Sequence, residues 1–163
     1  MSTWHEPNAK ERLEILKSAK NIAIVGASDN PARAAYFVAT YLQAESDYKL
    51  FFVNPNAESI LGQPVYKSLS DIPEKIDIVD VFRKPADIPA VLDEAINIGA
   101  KVFWMQLGIK NQAEAERAAA AGLIAIQDRC IKIEYARFYG GLHLAGFDTG
   151  VISSKRNAKK GDA

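Results

Sequence analysis

The chain has 163 residues, 48% of them hydrophobic and 25% charged, which are the proportions of one ordinary globular domain with a sizeable core. Lysine plus arginine and aspartate plus glutamate each number 20, so the charge balance gives no indication of nucleic acid or an anionic membrane as a partner. A lone cysteine, an N-terminus without a basic and then apolar run, and the lack of an apolar stretch approaching about 20 residues predict a soluble cytoplasmic protein.

Five strands alternating with helices are predicted from the apolar and turn patterns. The strands are apolar runs that end in turn residues, and they cover 22–25, 48–53, 76–82, 101–105 and 123–126. The predicted helices cover 9–19, 34–44, 87–98 and 112–121, and in the first of them Leu13, Leu16 and Ala19 lie on one face. Asn8 and Asn111 each stand before a helix whose third position is glutamate, so both are predicted N-caps. Val65-Tyr66 is a candidate for a small additional edge strand.

This alternation predicts a three-layer, doubly wound α/β fold. We expect a parallel sheet of five strands in the order 3-2-1-4-5, with a ligand crevice at the carboxyl ends of the strands. The predicted domain covers residues 1–138, and residues 139–163 form a glycine-rich, basic C-terminal arm. Two interpretations of the arm stay open: an irregular surface segment, or a segment that docks on a second subunit or another protein.

The loop after the first strand, within residues 21–33, is typical of a phosphate-binding turn. The apolar run ends at Gly26, which permits a tight turn, and Ala27 and Ser28 lead towards the next helix. We expect the amides of this loop to face an anion. The full dinucleotide fingerprint would have glycine in place of Ser28 and Pro31, so the loop indicates a nucleotide-type ligand without specifying nicotinamide or flavin.

The residues after the second strand disfavour a conventional NAD enzyme. Such enzymes usually have an aspartate or glutamate at this position, where the carboxylate accepts hydrogen bonds from the ribose hydroxyls. This chain has Asn54 and Pro55 instead. An NAD-type redox or regulatory domain is therefore kept only as an alternative.

Cationic and polar side chains follow the other strands. Arg83 and Lys84 come after the third strand and Arg33 precedes the first crossover helix, so the three could bind a pyrophosphate. They could equally belong to a solvated loop and a surface ion pair. Gln106, after the fourth strand, could bond a ligand or satisfy backbone groups. Ser28 could bind a phosphate or cap the helix.

The sequence offers little for catalysis. His5 and His143 lie away from the strand ends, which disfavours a histidine-based triad or a metal site. Asp128 and Arg129 are as readily a structural ion pair as an acid and its partner. Cys130 follows the fifth strand, and a lone cysteine is more often a small core residue than a reactive one. A crevice equipped for binding rather than for reaction is the prediction.

Several motifs recur in the order and at the separations of one known family. They are Ile24-Val-Gly-Ala-Ser28 with Asn30-Pro31 and Arg33, Val53-Asn-Pro55, Gly62-Gln-Pro-Val-Tyr66, Asp77-Ile-Val-Asp-Val-Phe-Arg83 with Pro85, Trp104-Met-Gln-Leu-Gly-Ile109, and Ala121-Gly122 leading to Asp128-Arg-Cys130. In these motifs, residues 20–138 resemble the small CoA-binding proteins. That Rossmann-like family also provides the nucleotide-binding domain of acyl-CoA synthetases of the succinyl-CoA type.

The resemblance implies that coenzyme A lies across the carboxyl ends of the strands. The residues implied in binding are Gly26, Ala27, Ser28 and Arg33 for phosphates, Asn54 and Pro55 for the adenosine pocket, Phe82 and Arg83 for closure over the nucleotide, and Gln106 beyond the fourth strand. Lys84 joins this set because of its charge. The larger synthetases use a phosphorylated histidine and partner domains. No histidine here matches that position, so synthetase activity is not implied.

We therefore expect a non-catalytic module that binds CoA or an acyl-CoA and carries, senses or delivers it. One alternative is an enzyme that acts on a CoA thioester or thiol with Cys130 involved. A second is the NAD-type domain, and a third is an interaction subunit that forms a homodimer or binds a protein through the C-terminal arm. No metal and no nucleic acid are expected as ligands.

Overall fold

Helices and strands alternate along the chain as the sequence predicts. The structure is a computed structural model that describes residues 4–139. The helices there are α1 (Ala9–Ser18), α2 (Ala34–Glu45), α3 (Ile88–Asn97), α4 (Gln112–Ala120) and α5 (Ile131–Tyr139). The strands are β1 (Asn21–Val25), β2 (Lys49–Val53), β3 (Ser59–Ile60), β4 (Gln63–Tyr66), β5 (Ile78–Val81), β6 (Val102–Met105) and β7 (Ile124–Ile126).

One mixed sheet of seven strands forms the middle layer, in the order β3-β4-β2-β1-β5-β6-β7. Each neighbouring pair is parallel except β3 with β4. The doubly wound α/β architecture is confirmed, but the expected five strands in the order 3-2-1-4-5 are wrong. β5, which is the predicted third strand, pairs with β1 instead of lying outside β2.

β5 lies inside the sheet, between β1 and β6. All four of its residues are buried, as a strand covered by helices on both sides requires. Asp77, just before β5, accepts hydrogen bonds of 2.9 Å from the amides of Lys20 and Asn21 at the start of β1. These bonds join positions 57 and 56 residues apart, so no local sequence pattern predicts the pairing of β5 with β1.

The two additional strands form a hairpin at the edge beside β2. Ile60 pairs with Gln63, and the residues between them, Leu61 and Gly62, have φ angles of 50° and 77°. Two positive φ angles in a two-residue loop are the mark of a type I′ turn, whose twist suits a hairpin. β4 contains the candidate edge strand at Val65-Tyr66, and it is the inner strand of the hairpin.

Helices cover both faces of the sheet, which gives the predicted three layers. Ile22 and Ile24 of β1 pack with α1, α2 and α5, whereas Ala23 and Val25 of the same strand pack with α3 and α4. Side chains that alternate between two apolar layers are the consequence of the period of two along a strand. None of the described helices is long and apolar enough to cross a membrane.

Both predicted N-caps are confirmed. Asn8 Oδ1 accepts a hydrogen bond from the Glu11 amide at 2.9 Å, and Glu11 Oε1 accepts from the Asn8 amide at 2.8 Å, which completes a capping box. Asn111 Oδ1 accepts from the Glu114 amide at 3.1 Å. The Asn111 amide donates to Gln127 Oε1 at 2.8 Å, so this second cap lacks the reciprocal bond.

α5 is a helix that the sequence does not predict. It packs against α1 and α2, and the Arg12 Nε of α1 donates to Glu134 Oε1 of α5 at 2.7 Å, with both side chains buried. Tyr139, the first residue of the predicted arm, is the last residue of α5. The rest of that arm, residues 140–163, lies outside the described residues, as does His143.

Candidate functional site

The direction of the crossovers reverses between β1 and β5. From β1 the chain passes through α2 to β2 on one side, and from β5 it passes through α3 and α4 to β6 and β7 on the other. In open α/β sheets, ligands bind outside the carboxyl ends of the strands at such a switch point. A crevice of about 680 Å³ opens there, and the loops after β1, β2 and β5 line it. This volume is typical of a small-molecule site.

Gly26 brings the loop after β1 against the end of β5. Its φ is +87°, and a Cβ at this position would lie 2.2 Å from the carbonyl oxygen of Phe82. The Phe82 amide in turn donates to the Val25 carbonyl at 2.8 Å. A side chain at position 26 would collide with backbone that cannot move independently, so the floor of the crevice requires glycine.

The amides of Gly26 and Ala27 do not face an anion, so that part of the expectation for the loop is wrong. They donate to the carbonyl oxygen of Val53 at 3.0 Å and 3.3 Å. The two bonds extend the ladder between β1 and β2 and fix the loop in place. Donors for an anion therefore have to come from positions further along the loop and from α2.

The N-terminus of α2 supplies such donors. Its N-cap, Arg33, makes no side-chain hydrogen bond to the helix, in contrast to the asparagine caps of α1 and α4. Ala34 and Ala35 of the first turn line the crevice. First-turn amides lack acceptors within the helix and carry the positive end of its dipole. A helix of 12 residues that begins uncapped at a crevice is well suited to bind an anion.

Ser28 shapes the loop through its side chain. Ser28 Oγ accepts a hydrogen bond from the Asn30 amide at 3.0 Å, and Asn30 Oδ1 accepts from the Ala32 amide at 2.9 Å. Because a hydroxyl is donor and acceptor at once, Ser28 can still donate to an anion while it holds this turn. It is half-buried and lines the crevice. Ser28 does not cap α2, whose N-cap is Arg33, so that alternative is wrong, and its role towards a phosphate stays a prediction.

Asn54 joins the loops after β1 and β2. Its Nδ2 donates to the Ala27 carbonyl at 2.7 Å, and its Oδ1 accepts from the Asn56 amide at 2.7 Å. An ionised aspartate has no hydrogen to donate, so it could not make the first of these bonds. The absence of an acidic residue at this position thus has a structural reason, whichever ligand the crevice binds.

Three cations and one carboxylate line the crevice. Arg33 and Lys84 are exposed, and Arg83 is half-buried. Arg83 Nη2 and Nε donate to Asp87 Oδ2 at 2.9 Å and 3.3 Å. The crevice keeps an excess of positive charge, but its most buried cation, Arg83, is already paired with Asp87. Sequence reasoning missed Asp87, although an acid four residues after an arginine is the spacing of an ion pair on a helix.

Most of the predicted binding residues come together at this crevice. Those that line it are Gly26, Ala27, Ser28, Arg33, Asn54, Phe82, Arg83 and Lys84. Pro55 and Gln106 do not. Five lining residues were not predicted, and they are Ala34, Ala35, Asn56, Asp87 and Ile109. The roles of all these residues in binding stay predictions.

Gln106 has a structural task instead. It is buried, and its Oε1 accepts a hydrogen bond from the Ile131 amide, the first of α5, at 2.9 Å. The side chain thus bonds a backbone group, as one of its two alternatives has it, but at the start of α5 and not in the turn before Asn111. Cys130, directly before α5, is half-buried against the α1, α2 and α5 layer and is not among the lining residues. Its reactivity stays a hypothesis.

The remaining candidates for chemistry lie elsewhere. His5 is in the segment before α1, with its Nε2 3.7 Å from Glu11 Oε2. Asp128 Oδ1 accepts a hydrogen bond from the Gly108 amide at 2.8 Å, and Arg129 Nε lies 3.9 Å from Glu6 Oε2. Asp128 and Arg129 are thus engaged with other partners rather than with each other.

The fold and the site together define a doubly wound α/β protein with a cation-lined crevice at the switch point of its sheet. The sequence profile of the family described as CoA binding domain matches residues 20–136. The chain therefore belongs to this CoA-binding family, and the resemblance inferred from its motifs is confirmed.

Individual relatives agree with this assignment. The uncharacterized protein YneT of Bacillus subtilis (strain 168) is 38% identical over 130 residues, which cover 80% of this chain and 96% of YneT. The solved structure of a hypothetical protein from Pyrococcus horikoshii OT3 is similar with a TM-score of 0.77 and 38% identity, covering 86% of this chain and 100% of that one. An ADP-forming acetate–CoA ligase of Methanocaldococcus jannaschii is 29% identical over 89 residues, which are 55% of this chain but 12% of the ligase.

Proposed function

We propose that the crevice binds coenzyme A or an acyl-CoA, and that the protein carries, senses or delivers this ligand without catalysing a reaction on it. One observation carries the proposal: the uncapped N-terminus of α2 opens on the same crevice as Arg33, Arg83 and Lys84. CoA is a polyanion with a diphosphate and a ribose phosphate. Amides of a helix N-terminus and nearby cations are the groups that bind such anions.

The phosphates divide naturally between two kinds of donor. The amides of Ala34 and Ala35, with the Ser28 hydroxyl, can bind oxygens of one phosphate through fixed, short-range hydrogen bonds. Arg33 and Lys84 are exposed and can reach phosphates at the mouth of the crevice. Arg83 is the exception, because a phosphate oxygen has to compete with Asp87 for its guanidinium.

The family relationship supports CoA as the ligand, and the local chemistry supports it against NAD. Asn54 is already bonded to the Ala27 carbonyl and the Asn56 amide. As an amide, it also lacks the carboxylate that usually accepts hydrogen bonds from the ribose hydroxyls of NAD at this position. The segment of the ligase relative that is similar to this chain makes up 12% of the ligase. Ligase activity is therefore not part of the proposal.

Calorimetric titration of the full chain tests the ligand class. CoA and acetyl-CoA should bind, and NAD and ATP should bind more weakly or not at all. Tight NAD binding, or no heat with either CoA form, would overturn the proposal. Incubation with acetyl-CoA tests the non-catalytic part: the thioester should be recovered intact, whereas enzyme-dependent release of free CoA would favour the enzyme alternative.

Arg83→Ala locates the site. Losing a charge-assisted hydrogen bond costs about 1.5–3 kcal/mol, so the dissociation constant for CoA should rise roughly 10- to 100-fold. Lys101→Ala is the matched control, because Lys101 is exposed just before β6, at the amino ends of the strands, and pairs with Asp77. Equal affinities of the Arg83 variant and the wild type would remove Arg83 from the site. A similar loss in the Lys101 variant would mean that the effect is general electrostatics.

A further inference from the structure

A second concavity lies away from the crevice, between α1 and the edge of β7 that pairs with no other strand within residues 4–139. It has a volume of about 500 Å³. Its floor and walls are largely apolar, with Trp4, Ile15, Leu123 and Ile124 among the lining residues. We call it the edge groove. Ile124 is 45% exposed, which is unusual for a large aliphatic side chain in a strand of the central sheet.

The edge groove lies where a sheet needs protection. β7 is the last strand of the sheet, and an edge strand with apolar neighbours invites pairing with another chain unless something covers it. The segment before α1 covers part of this edge, since Trp4 Nε1 donates to the Ala125 carbonyl at 3.0 Å. Ile124, beside that contact, is left facing the groove.

The α1 wall of the edge groove carries two carboxylates, and one of them, Glu11, lies 3.7 Å from the imidazole of His5, which also lines the groove. Glu11 and Glu14 lie on the same face of α1 as Ile15 and Ser18, and all four residues line the groove. An occupant that fits this surface has apolar side chains for the floor and positive charge for the α1 wall. The need for both apolar side chains and positive charge makes the groove selective for the chemistry of its occupant as well as for its shape.

The sequence directly after α5 meets the requirement. Its apolar residues are Leu142, Leu144, Phe147, Val151 and Ile152, and its basic residues are Lys155, Arg156, Lys159 and Lys160. The two groups are consecutive, so an apolar stretch is followed by a positive one. Ala145, Gly146, Thr149 and Gly150 lie between the apolar residues, together with His143 and Asp148.

The end of α5 starts this segment close to the groove. Tyr139 stacks on Tyr135 with ring centroids 4.6 Å apart, and α5 packs against α1. Burial raises the pKa of Tyr139, and the nearby carboxylate of Glu14 raises it further. Glu14 also lines the groove. A chain spans at most about 3.3–3.6 Å per residue, and α1 is only about 15 Å long, so the segment is long enough to reach.

We propose that residues 142–152 of the same chain dock in the edge groove, with Leu144 and Phe147 against Ile124 and the following basic residues beside Glu11 and Glu14. Docking would cover the apolar edge of β7 and prevent its pairing with a second molecule. The proposal is independent of the CoA crevice, because the two concavities share no lining residue.

Tryptophan fluorescence of the full chain tests the docking. The chain has two tryptophans; Trp104 is completely buried in the core and Trp4 lines the groove, so changes in acrylamide quenching report on Trp4. The double variant Leu144→Asp with Phe147→Asp should make Trp4 easier to quench, and β7 amides should lose protection from hydrogen exchange. Thr149→Asp, which adds charge at a polar position of the same segment, is the matched control and should change neither.

Each outcome decides the proposal. Unchanged quenching and exchange in the double variant overturn it, and so does an equal change in the Thr149 variant. Ile124→Asp approaches the same contact from the groove, and it should raise β7 exchange to the level of the double variant. Sedimentation at several concentrations identifies the occupant: a wild type that is protected only as a dimer would replace docking within one chain by docking on a second copy.

Discussion

Replacing Asp80 by asparagine should stabilise the protein at neutral pH. Asp80 lies in β5 between Ile24 of β1 and Trp104 of β6, and it is completely buried. Neither carboxyl oxygen has a hydrogen-bond partner among the described residues. Burial without a compensating donor or cation disfavours the ionised form, and it raises the pKa of Asp80 well above the ordinary value of 3.8.

The sign and size of the effect follow from proton linkage. Above about pH 4, the unfolded chain releases the Asp80 proton while the folded protein retains it, until the pH reaches the raised pKa of the folded state. Over that range the wild type loses about 1.4 kcal/mol of unfolding free energy per pH unit through this group. Asparagine has the same shape and cannot ionise. The advantage of Asp80→Asn should therefore be small near pH 4 and grow with that slope as the pH rises.

Urea unfolding at several pH values between about 4 and 7 measures this difference directly. Asp77→Asn is the control with the opposite sign. Burial raises the pKa of Asp77, but hydrogen bonds from the Asn21 and Lys20 amides and the charge of Lys101 outweigh it, so the net pKa is lowered. Asp77 therefore stabilises above its unfolded pKa, and that stability is lost as the pH falls. A difference between Asp80→Asn and the wild type that stays constant with pH, or favours the wild type near neutrality, would refute the reasoning.

The other predictions concern the crevice and the α1–α5 interface. Asp87→Asn should tighten CoA binding about fivefold in calorimetry, because it frees Arg83 and removes a negative charge worth about 1 kcal/mol; weaker binding would mean that Asp87 positions Arg83 for the ligand. Gly26→Ala should lower the free energy of unfolding by about 3 kcal/mol or more in urea, because the strain of a positive φ adds to the cost of the backbone collision. A stability within error of the wild type would show that the loop relaxes. Arg12→Ala should lower the free energy of unfolding in the same assay by up to about 3–5 kcal/mol, because the buried Glu134 carboxylate keeps the half-exposed Arg137, 3.6 Å away, in place of a buried partner. Pairing Arg12→Met with Glu134→Leu should restore most of that loss, and failure to do so would point to packing rather than charge.

Local patterns account for what sequence reasoning predicted well. The N-caps at Asn8 and Asn111 depend on residues three positions away, and the strand-glycine-helix unit around Gly26 is contained in one short segment. These signals act within a single turn or strand, so they do not depend on the tertiary contacts that the rest of the chain makes. The motifs that carry the family resemblance also lie mostly in such units, which is why the class of ligand could be inferred from them.

α5 shows where local patterns fail. Ile131, Tyr135 and Phe138 pack on one face of α5, but that face also buries Glu134, and Ile133 on another side is 52% exposed, so apolar residues alone do not mark the packed face. Its start is fixed from a distance, by Gln106 through the Ile131 amide, and its face is fixed by the ion pair with Arg12. Neither contact has a signal in the sequence around α5.

The crevice combines both kinds of information. The sequence places Arg83 and Asp87 at the spacing of an ion pair, but it assigns no ligand-facing role to Asp87. The resemblance implies Asn54 for the adenosine pocket and gives no backbone role, whereas the bonds from Asn54 to Ala27 and Asn56 exist only once β1 and β2 are neighbours. Pro55 and Gln106 were expected at the crevice because they follow strands, yet the direction of a side chain after a strand depends on the packing around it.

The sequence by itself determined the alternation of elements, the loop at Gly26 and the CoA-binding family, because each of these is recorded in residues close together or in motifs of fixed spacing. Only the tertiary structure decided the strand order, which moved β5 beside β1. Strand order depends on which strands are buried on both faces and on bonds such as those from Lys20 and Asn21 to Asp77. The pairing of β5 with β1 brings Gly26 against Phe82 and places Arg83 near the uncapped N-terminus of α2. The crevice results from this pairing.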